Sequence, residues 1–301
     1  MKPGVAAALA FVALCCFGIR ATGFENVFAP NGVVLLDLGD GAYHARLASW
    51  AYANFPRFLD FDWYLAGSLG APVPWPPLYD LLVAGVARAL GAGVDAVPRV
   101  LAWAGPVLGL LAVPAVFAAT RVLAGAGTAL AAAAIFASFG SANIYGAVGN
   151  GDHHAFVATL AAIWLALALD FVAPGRSRAR LAAVACGLFA VRTAMLLGWN
   201  GSLLYLGIAD GAVAVACAAL GDVRRSAWLG AGALASAAVA AGFVASMPTP
   251  LGGPFSSTIL SWLHVAIETA LGVSLLASAA LEARRPAASP VAGAARLAGV
   301  G

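Results

Sequence analysis

Ionisable side chains gather in two short polar stretches of an otherwise apolar sequence. In the first stretch Asp40 and His44 lie four residues apart, which places them on one face of a helix. In the second stretch Asp152, His153 and His154 directly precede an apolar run. Carboxylate oxygens and imidazole nitrogens are ligands for Mn²⁺, for Mg²⁺ with added waters, or for Zn²⁺. The residue types predict a divalent-cation site; a helix-capping Asp beside hydrogen-bonded His residues is the structural alternative.

The composition indicates a membrane protein. Of 301 residues, 62% are hydrophobic and 10% are charged, and the mean hydropathy is +0.93. Soluble domains carry about 25% charged residues, so a water-facing surface cannot be built from this chain. The net charge of +3 comes without a basic face interleaved with aromatics, which excludes nucleic-acid binding. The four cysteines lie in apolar segments without Cys-x-x-Cys spacing and are typical of buried apolar side chains.

The apolar segments predict an all-α, polytopic transmembrane helix bundle of about eight or nine helices, because one span needs about 20 apolar residues. The segments are 4–20, 77–91, 98–120, 122–141, 155–173, 180–198, 202–220, 226–246 and 258–282. We expect the first segment to be an uncleaved span. A transmembrane domain over 1–283 then contains a long outer loop, 21–76, and a disordered cytoplasmic tail follows at 284–301.

Positive charge in short loops predicts the orientation. Lys2 places the N-terminus in the cytoplasm and the loop 21–76 outside, in a multi-pass protein of the plasma membrane. Three arginine clusters are each separated from the next by two apolar segments, so all three are expected on the cytoplasmic side. These are Arg176/Arg178/Arg180, Arg224/Arg225 and Arg284/Arg285. The same reasoning places residues 142–154, 199–201 and 247–257 outside, together with the candidate site.

This orientation requires that one apolar segment fail to cross the membrane. Three segments separate the loop 21–76 from residues 142–154, and an odd number of spans would place these two regions on opposite faces. The segment 77–91 is the first suspect because it is short and carries Asp80 and Arg88, and 122–141 is the second.

The outer loop is predicted to contain a short helix at about 41–54. Asp40 is the expected N-cap, and Tyr43, Leu47 and Trp50 recur at helical spacing as an apolar stripe. Such a helix would lie along the bilayer interface. Prolines and aromatic residues fill the rest of the loop and exclude a continuous helix there.

Several motifs, in this order and spacing, resemble those of oligosaccharyltransferase catalytic subunits over residues 1–225. The motifs are Asp40-x-x-Tyr43-His44-x-Arg46-Leu47, Phe55-Pro56, Phe61-Asp62-x-Tyr64, Trp75-Pro-Pro-Leu-Tyr-Asp80, Gly151-Asp152-His153-His154 and Trp199-x-Gly201. The first four are similar to the family's first outer loop. The fifth is similar to its second acidic motif in the Asp-x-His form of archaeal-type members, and the last to a Trp-Gly-Gly turn.

The resemblance implies a GT-C-like membrane glycosyltransferase. Such an enzyme moves a glycan from a polyprenyl (pyro)phosphate carrier to an acceptor, which in the family is a protein asparagine. By the match, Asp40 and Asp152 would be catalytic, and Asp40, Asp152 and His154 would hold Mn²⁺ or Mg²⁺. We expect the three groups to converge within about 5–8 Å, close enough to share one ion. The expected substrate-binding residues are Tyr43, His44, Arg46, Asp62, Trp75, Arg192 and Trp199.

The sequence also departs from the family. No Trp-Trp-Asp-Tyr-Gly motif is present, and Thr258-Ile259-Leu260-Ser261 has Ser where the family has a glutamate. A truncated or inactive relative that binds the lipid carrier is therefore an alternative, and a small polytopic transporter is another. His264 and Glu268, four residues apart in the last segment, favour a structural hydrogen-bonded pair over a catalytic one.

Overall fold

The structure, a computed structural model, describes residues 1–67, 69–91, 93–250 and 253–284. Within these ranges its regular secondary structure is almost all helical. They are α1 (Pro3–Ala21), α2 (Phe24–Val27), α3 (Asp40–Asn54), α4 (Leu78–Ala89), α5 (Ala96–Leu123), α6 (Ala126–Ser138), α7 (Gly140–Tyr145), α8 (His154–Val172), α9 (Arg178–Leu196), α10 (Ser202–Leu220), α11 (Val223–Ser246) and α12 (Trp262–Arg284). Two short strands, β1 (Phe61–Asp62) and β2 (Ala71–Pro72), pair antiparallel.

Seven of these helices, α1, α5 and α8 to α12, are long and apolar enough to cross a membrane. The predicted all-α polytopic fold is therefore confirmed. The predicted disordered tail, 284–301, lies outside the described residues apart from Arg284, which ends α12. The chain divides into two compact units, Met1–Asp60 with Pro77–Ala166 and Phe61–Pro76 with Leu167–Gly301.

The first unit is built on small residues at helix contacts. Helices α1, α5 and α6 meet at a buried cluster that includes Cys16, Val113 and Ala133. A second cluster joins α3, α4 and α5. Small side chains allow close approach of apolar helices, which is how membrane helices gain packing energy. The second cluster fixes α3 and α4 against α5, and these two helices carry part of the candidate site.

The backbone of the first unit shows how the predicted segments 77–91 and 122–141, one of which was expected not to cross the membrane, are arranged. Helix α4 has 12 residues, too few to cross, and it packs against α3. Helix α6 has 13 residues and breaks at Phe139 before α7 begins. After α7, the Val148 N–H donates to the Arg20 carbonyl at 2.8 Å, and the Gly149 N–H donates to the Ala102 carbonyl at 2.9 Å. The chain therefore returns through α6 and α7 to the end where α1 stops and α5 starts.

The second unit contains the last four helices. At one end the Arg225 guanidinium donates to the Ala173 carbonyl at 2.8 Å, and Arg176 pairs with Asp170 at 2.7 Å. Two of the predicted cytoplasmic arginine clusters thus share an end. In the turn between α9 and α10, the Asn200 amide donates to the carbonyls of Pro74 and Thr258 at 2.7 and 2.6 Å. This amide joins two predicted outer segments, 21–76 and 199–201, to Thr258 at the start of the last predicted span.

Candidate metal centre

The start of α3 lies directly against the second polar stretch. The Asp37 N–H donates to the Gly149 carbonyl at 2.9 Å. Gly41 lies so close to this turn that a Cβ atom on it would overlap the Asn150 carbonyl oxygen. Only glycine allows this approach, and it brings the Asp40 end of α3 beside Gly151 and Asp152.

The helix forms where the sequence predicts it, with two differences. Gly39 occupies the N-cap position and Asp40 is the first helical residue, so the assignment of Asp40 as N-cap was wrong by one position. The buried face of α3 contains His44, Leu47 and Ala48, whereas Tyr43 and Trp50 are only half-buried. The face is rotated because α3 packs against α4 and the 149–151 turn, and His44 turns inward to meet buried polar partners.

His44 is the centre of the buried polar cluster. Its Nδ1 lies 2.8 Å from Asp80 Oδ1, and its Nε2 lies 2.9 Å from His153 Nδ1 and 3.8 Å from Asp152 Oδ1. The His153 Nδ1 in turn lies 2.7 Å from the same Asp152 oxygen. The four side chains come from α3, from α4 and from the turn before α8, and each is at most 9% exposed. Three distant parts of the sequence therefore meet at one point.

The two carboxylates set the charge of the cluster. Burial lowers the pKa of His44, but the charge and hydrogen bond of Asp80, with smaller effects of Asp152 and Asp40, outweigh burial and raise this pKa above its ordinary value. Burial opposes ionisation of Asp152, yet hydrogen bonds from His153 and His154 outweigh it and hold the pKa of this carboxyl well below its usual range. Asp152 is thus an anion at neutral pH, and a cation bound beside it would compete with protons for the nitrogens of His44.

His154 contacts the same carboxylate from the opposite side. Its Nδ1 hydrogen-bonds to Asp152 Oδ2, and its side chain is 42% exposed. The Tyr145 ring stacks on the His154 ring with centroids 4.9 Å apart. Asp152 therefore divides the site into an inner set with His44 and His153 and an outer set with His154.

The inner set fits a cation in its donor chemistry. Ligand atoms of His44, Asp152 and His153 lie within 4.8 Å of one another. A tetrahedral ion with bonds of about 2.0–2.1 Å needs ligand atoms about 3.4 Å apart, so shifts of a few tenths of an ångström would suffice. Asp80 holds the Nδ1 hydrogen of His44 and leaves the Nε2 lone pair facing the cluster, as the carboxylate partners of metal-bound histidines do. Two nitrogens and one oxygen suit Zn²⁺ better than Mg²⁺.

The outer set is the one that the sequence predicts, namely Asp40, Asp152 and His154. Asp40 is half-buried at the first turn of α3, and its charge acts on His44. Two carboxylates and one imidazole suit Mn²⁺, or Mg²⁺ with waters. The assignment of these three residues to one ion stays a prediction.

The predicted substrate-binding residues divide between the two units. In the first, Tyr43 is half-buried and Arg46 is exposed on α3, while His44 belongs to the buried cluster. In the second, Trp75 and Trp199 are half-buried, and the Trp199 ring covers Gly201. Asp62, which is buried there, accepts the Tyr64 N–H at 3.0 Å.

Arg192 is also in the second unit, where its charge is already neutralised. Its guanidinium pairs with Asp210 at 2.5 and 2.9 Å and lies 3.7 Å from Glu268, all three side chains being buried. A role in binding a headgroup stays a prediction for Arg192. The Ser261 N–H donates to His264 Nδ1 at 3.3 Å, which is a contact at the start of α12.

Sequence reasoning did not assign Asp80 and His153 to the site. Asp80 was named in a family-like motif and as evidence against a span at 77–91, but it was given no role in the site. A carboxylate inside an apolar segment is itself a functional signal, and that signal pointed to the site. His153 could not be distinguished from His154 by spacing, because both adjoin Asp152 at the start of a helix.

The fold is that of a known class of membrane enzyme. One similar solved structure is that of the archaeal oligosaccharyltransferase AglB from Archaeoglobus fulgidus, in complex with an inhibitory peptide and a dolichol-phosphate. The match covers 99% of this chain and 36% of the AglB chain, with a TM-score of 0.80 and 20% sequence identity. The Archaeoglobus fulgidus enzyme in complex with Zn and sulfate matches 97% of this chain and 38% of its own, with a TM-score of 0.79 and 19% identity.

A third structure of that enzyme, tethered to an acceptor peptide containing the NVT sequon, gives a TM-score of 0.80 at 18% identity, over 99% of this chain and 37% of its own. The chain thus spans a little over a third of the length of these neighbours. No protein-family model matches the sequence, and no curated protein does. The resemblance seen in the sequence is confirmed at the level of the fold, which is that of the matched part of an oligosaccharyltransferase.

Proposed function

We propose that this chain is a membrane glycosyltransferase of the oligosaccharyltransferase type. It would transfer a glycan from a polyprenyl (pyro)phosphate carrier to an acceptor, a protein asparagine or another nucleophile, on the outer face of the plasma membrane. The observation that supports this most strongly is the convergence of His44, Asp80 and Asp152 on this fold. The three residues are far apart in sequence and belong to motifs that resemble the family.

The chemistry of the cluster is consistent with this reaction. A divalent cation bound there would neutralise the charge that develops on the leaving phosphate. Asp40, at the edge of the cluster, would orient the acceptor for attack at the anomeric carbon. Asp152 would bind the cation with one or both oxygens. The buried Asp80 would keep His44 in the correct tautomer and would not contact the substrate.

Two ligand sets share Asp152, and they predict different metals. We propose the outer set, Asp40, Asp152 and His154, for Mn²⁺ or Mg²⁺, because its oxygens are hard ligands and its His154 is accessible. The inner set, with His44 and His153, would favour Zn²⁺. Neutralising Asp40 should weaken Mn²⁺ binding about tenfold or more in the first case and change it little in the second.

The function is tested with the purified chain in nanodiscs, a polyprenyl-diphosphate sugar and an acceptor peptide. We expect cation-dependent release of the sugar, to the peptide or to water. Asp152→Asn should reduce it by about 10²- to 10³-fold, the scale expected when a group that stabilises transition-state charge is removed. Asp95→Asn, which changes an exposed carboxylate before α5, is the matched control and should retain full turnover.

Equal turnover in the wild type and Asp152→Asn would reject the proposed site. Cation binding without any sugar release would instead identify an inactive relative that binds the lipid carrier. Transport of a solute by the chain reconstituted in sealed vesicles, with no binding of the lipid-linked sugar, would favour the transporter.

A further inference from the structure

Arg20 lies in the last turn of α1 with 4% of its surface exposed. Its guanidinium fills a space that two glycines leave open. A Cβ atom on Gly109 in α5 or on Gly146 after α7 would overlap the guanidinium group. The sequence therefore holds a buried cation in a fixed position between α1, α5 and α7.

The contacts of Arg20 leave its charge without a counterion. Its Nη2 donates to the Ala142 carbonyl at 3.2 Å, and the guanidinium lies 5.3 Å from the centre of the Phe136 ring. Its Nε is buried and has no hydrogen-bond partner. No acidic side chain in the described ranges forms an ion pair with it, whereas the buried Arg192 and Arg225 pair with Asp210 and Asp222.

A cavity of about 310 Å³ adjoins this guanidinium. Its wall also includes Ser141, Tyr145, His154 and Thr159. The cavity therefore adjoins the exposed side of the candidate metal centre, because His154 is hydrogen-bonded to Asp152. Its volume is at the lower end of the range of about 300–1,000 Å³ that small-molecule sites occupy.

An uncompensated buried cation is costly, and an anion that enters the cavity would remove this cost. Guanidinium groups match phosphate oxygens with paired donors. We propose that the Arg20 cavity binds an oxyanion, namely phosphate or a phosphate ester, beside His154. Capping of the short helix α7 explains the contact with the Ala142 carbonyl, but it does not explain the cavity or the unpaired Nε. The inference rests on the proposed function only for the identity of the molecule that carries the phosphate.

The direct test is equilibrium binding of a polyprenyl monophosphate to the purified full chain in detergent, with a chelator present. Arg20→Gln should weaken binding by about 10- to 100-fold, the loss expected for a charge-assisted hydrogen bond. Arg20→Lys should retain part of the affinity. Arg121→Gln, an exposed arginine in the last turn of α5, is the charge-loss control and should bind as the wild type does. Binding by Arg20→Gln within twofold of the wild type would overturn the proposal.

A second measurement keeps Arg20 intact in case its variants do not fold. Ser141→Cys places a thiol in the cavity wall, and its labelling by a charged thiosulfonate reports access, with the unsubstituted chain giving the background. Polyprenyl monophosphate should protect the thiol at least tenfold better than the uncharged polyprenol. Protection by inorganic phosphate at similar concentrations would support the site and assign it to a free anion. Equal protection by phosphate ester and polyprenol would refute an oxyanion site.

Neither measurement requires metal or sugar transfer. Intact phosphate binding in a chain without turnover would reject the proposed function alone. Turnover with no effect of Arg20→Gln on binding would reject the Arg20 site alone.

Discussion

Asp80→Asn tests which histidine ligates the cation. Asp80 accepts the Nδ1 hydrogen of His44 at 2.8 Å, and both side chains are at most 4% exposed. An asparagine amide can instead donate to Nδ1, which moves the ring hydrogen to Nε2 and removes the lone pair that faces the cluster. Loss of such a supporting carboxylate weakens metal binding by about 10- to 100-fold, or about 1.4–2.8 kcal/mol. We expect the upper end of this range for an ion held by His44, because water cannot replace the buried carboxylate.

The assay is calorimetric titration of the purified chain with Zn²⁺ and, separately, with Mn²⁺. Asp95→Asn serves as the control because it removes an exposed carboxylate of the same unit. A large loss of Zn²⁺ affinity with little change for Mn²⁺ would place zinc in the inner set and manganese in the outer one. If Asp80→Asn and His44→Ala both leave the Zn²⁺ affinity within threefold of the wild type, His44 is not a ligand and the inner set is refuted.

Two further substitutions test the packing inside each compact unit. Gly41→Ala should lower the free energy of unfolding by about 1–3 kcal/mol, because its Cβ would overlap a backbone oxygen. Gly127→Ala is the control, since its Cβ would enter open space, and it should cause no loss of stability. Thermal melting in detergent compares the two variants. Arg192→Met should lower the free energy of unfolding by about 3–5 kcal/mol, because it leaves Asp210 buried and unpaired. Adding Asp210→Leu should recover most of this loss. A double variant no more stable than Arg192→Met would contradict the pairing.

Hydropathy and charge predicted most of the fold because a membrane restricts the chain to apolar helices. All seven long helices coincide with predicted segments, and α3 begins and ends within one residue of its predicted bounds. The short α4 was suspected for the correct reason, its length and charge. The break at Phe139 was not predicted, because an Ala- and Gly-rich segment has no pattern that distinguishes one helix from two.

The site was only partly predictable, since spacing shows which residues share a helix face but not which helices meet. His44 and Asp152 were both named from their motifs, yet their contact depends on the close approach at Gly41, a tertiary feature. The buried face of α3 is rotated from the expected apolar stripe, so that His44 is buried beside Leu47 while Tyr43 and Trp50 are half-buried. Arg20 carried no signal, since an arginine near the end of a membrane helix is ordinary.

All the groups that form the cluster precede α9, and this order has a consequence for how the protein is made. Asp40, His44, Asp80 and the Asp152–His154 stretch are synthesised before residues 178–284, which contain the last four helices. At about 5–20 residues per second, those residues take several seconds or more to emerge. The cluster belongs to the first compact unit and gains no ligand from later helices in the described ranges. A cation captured during synthesis would therefore hold α3, α4 and the start of α8 together while the remaining helices enter the bilayer, and metal supply would influence biogenesis as well as turnover.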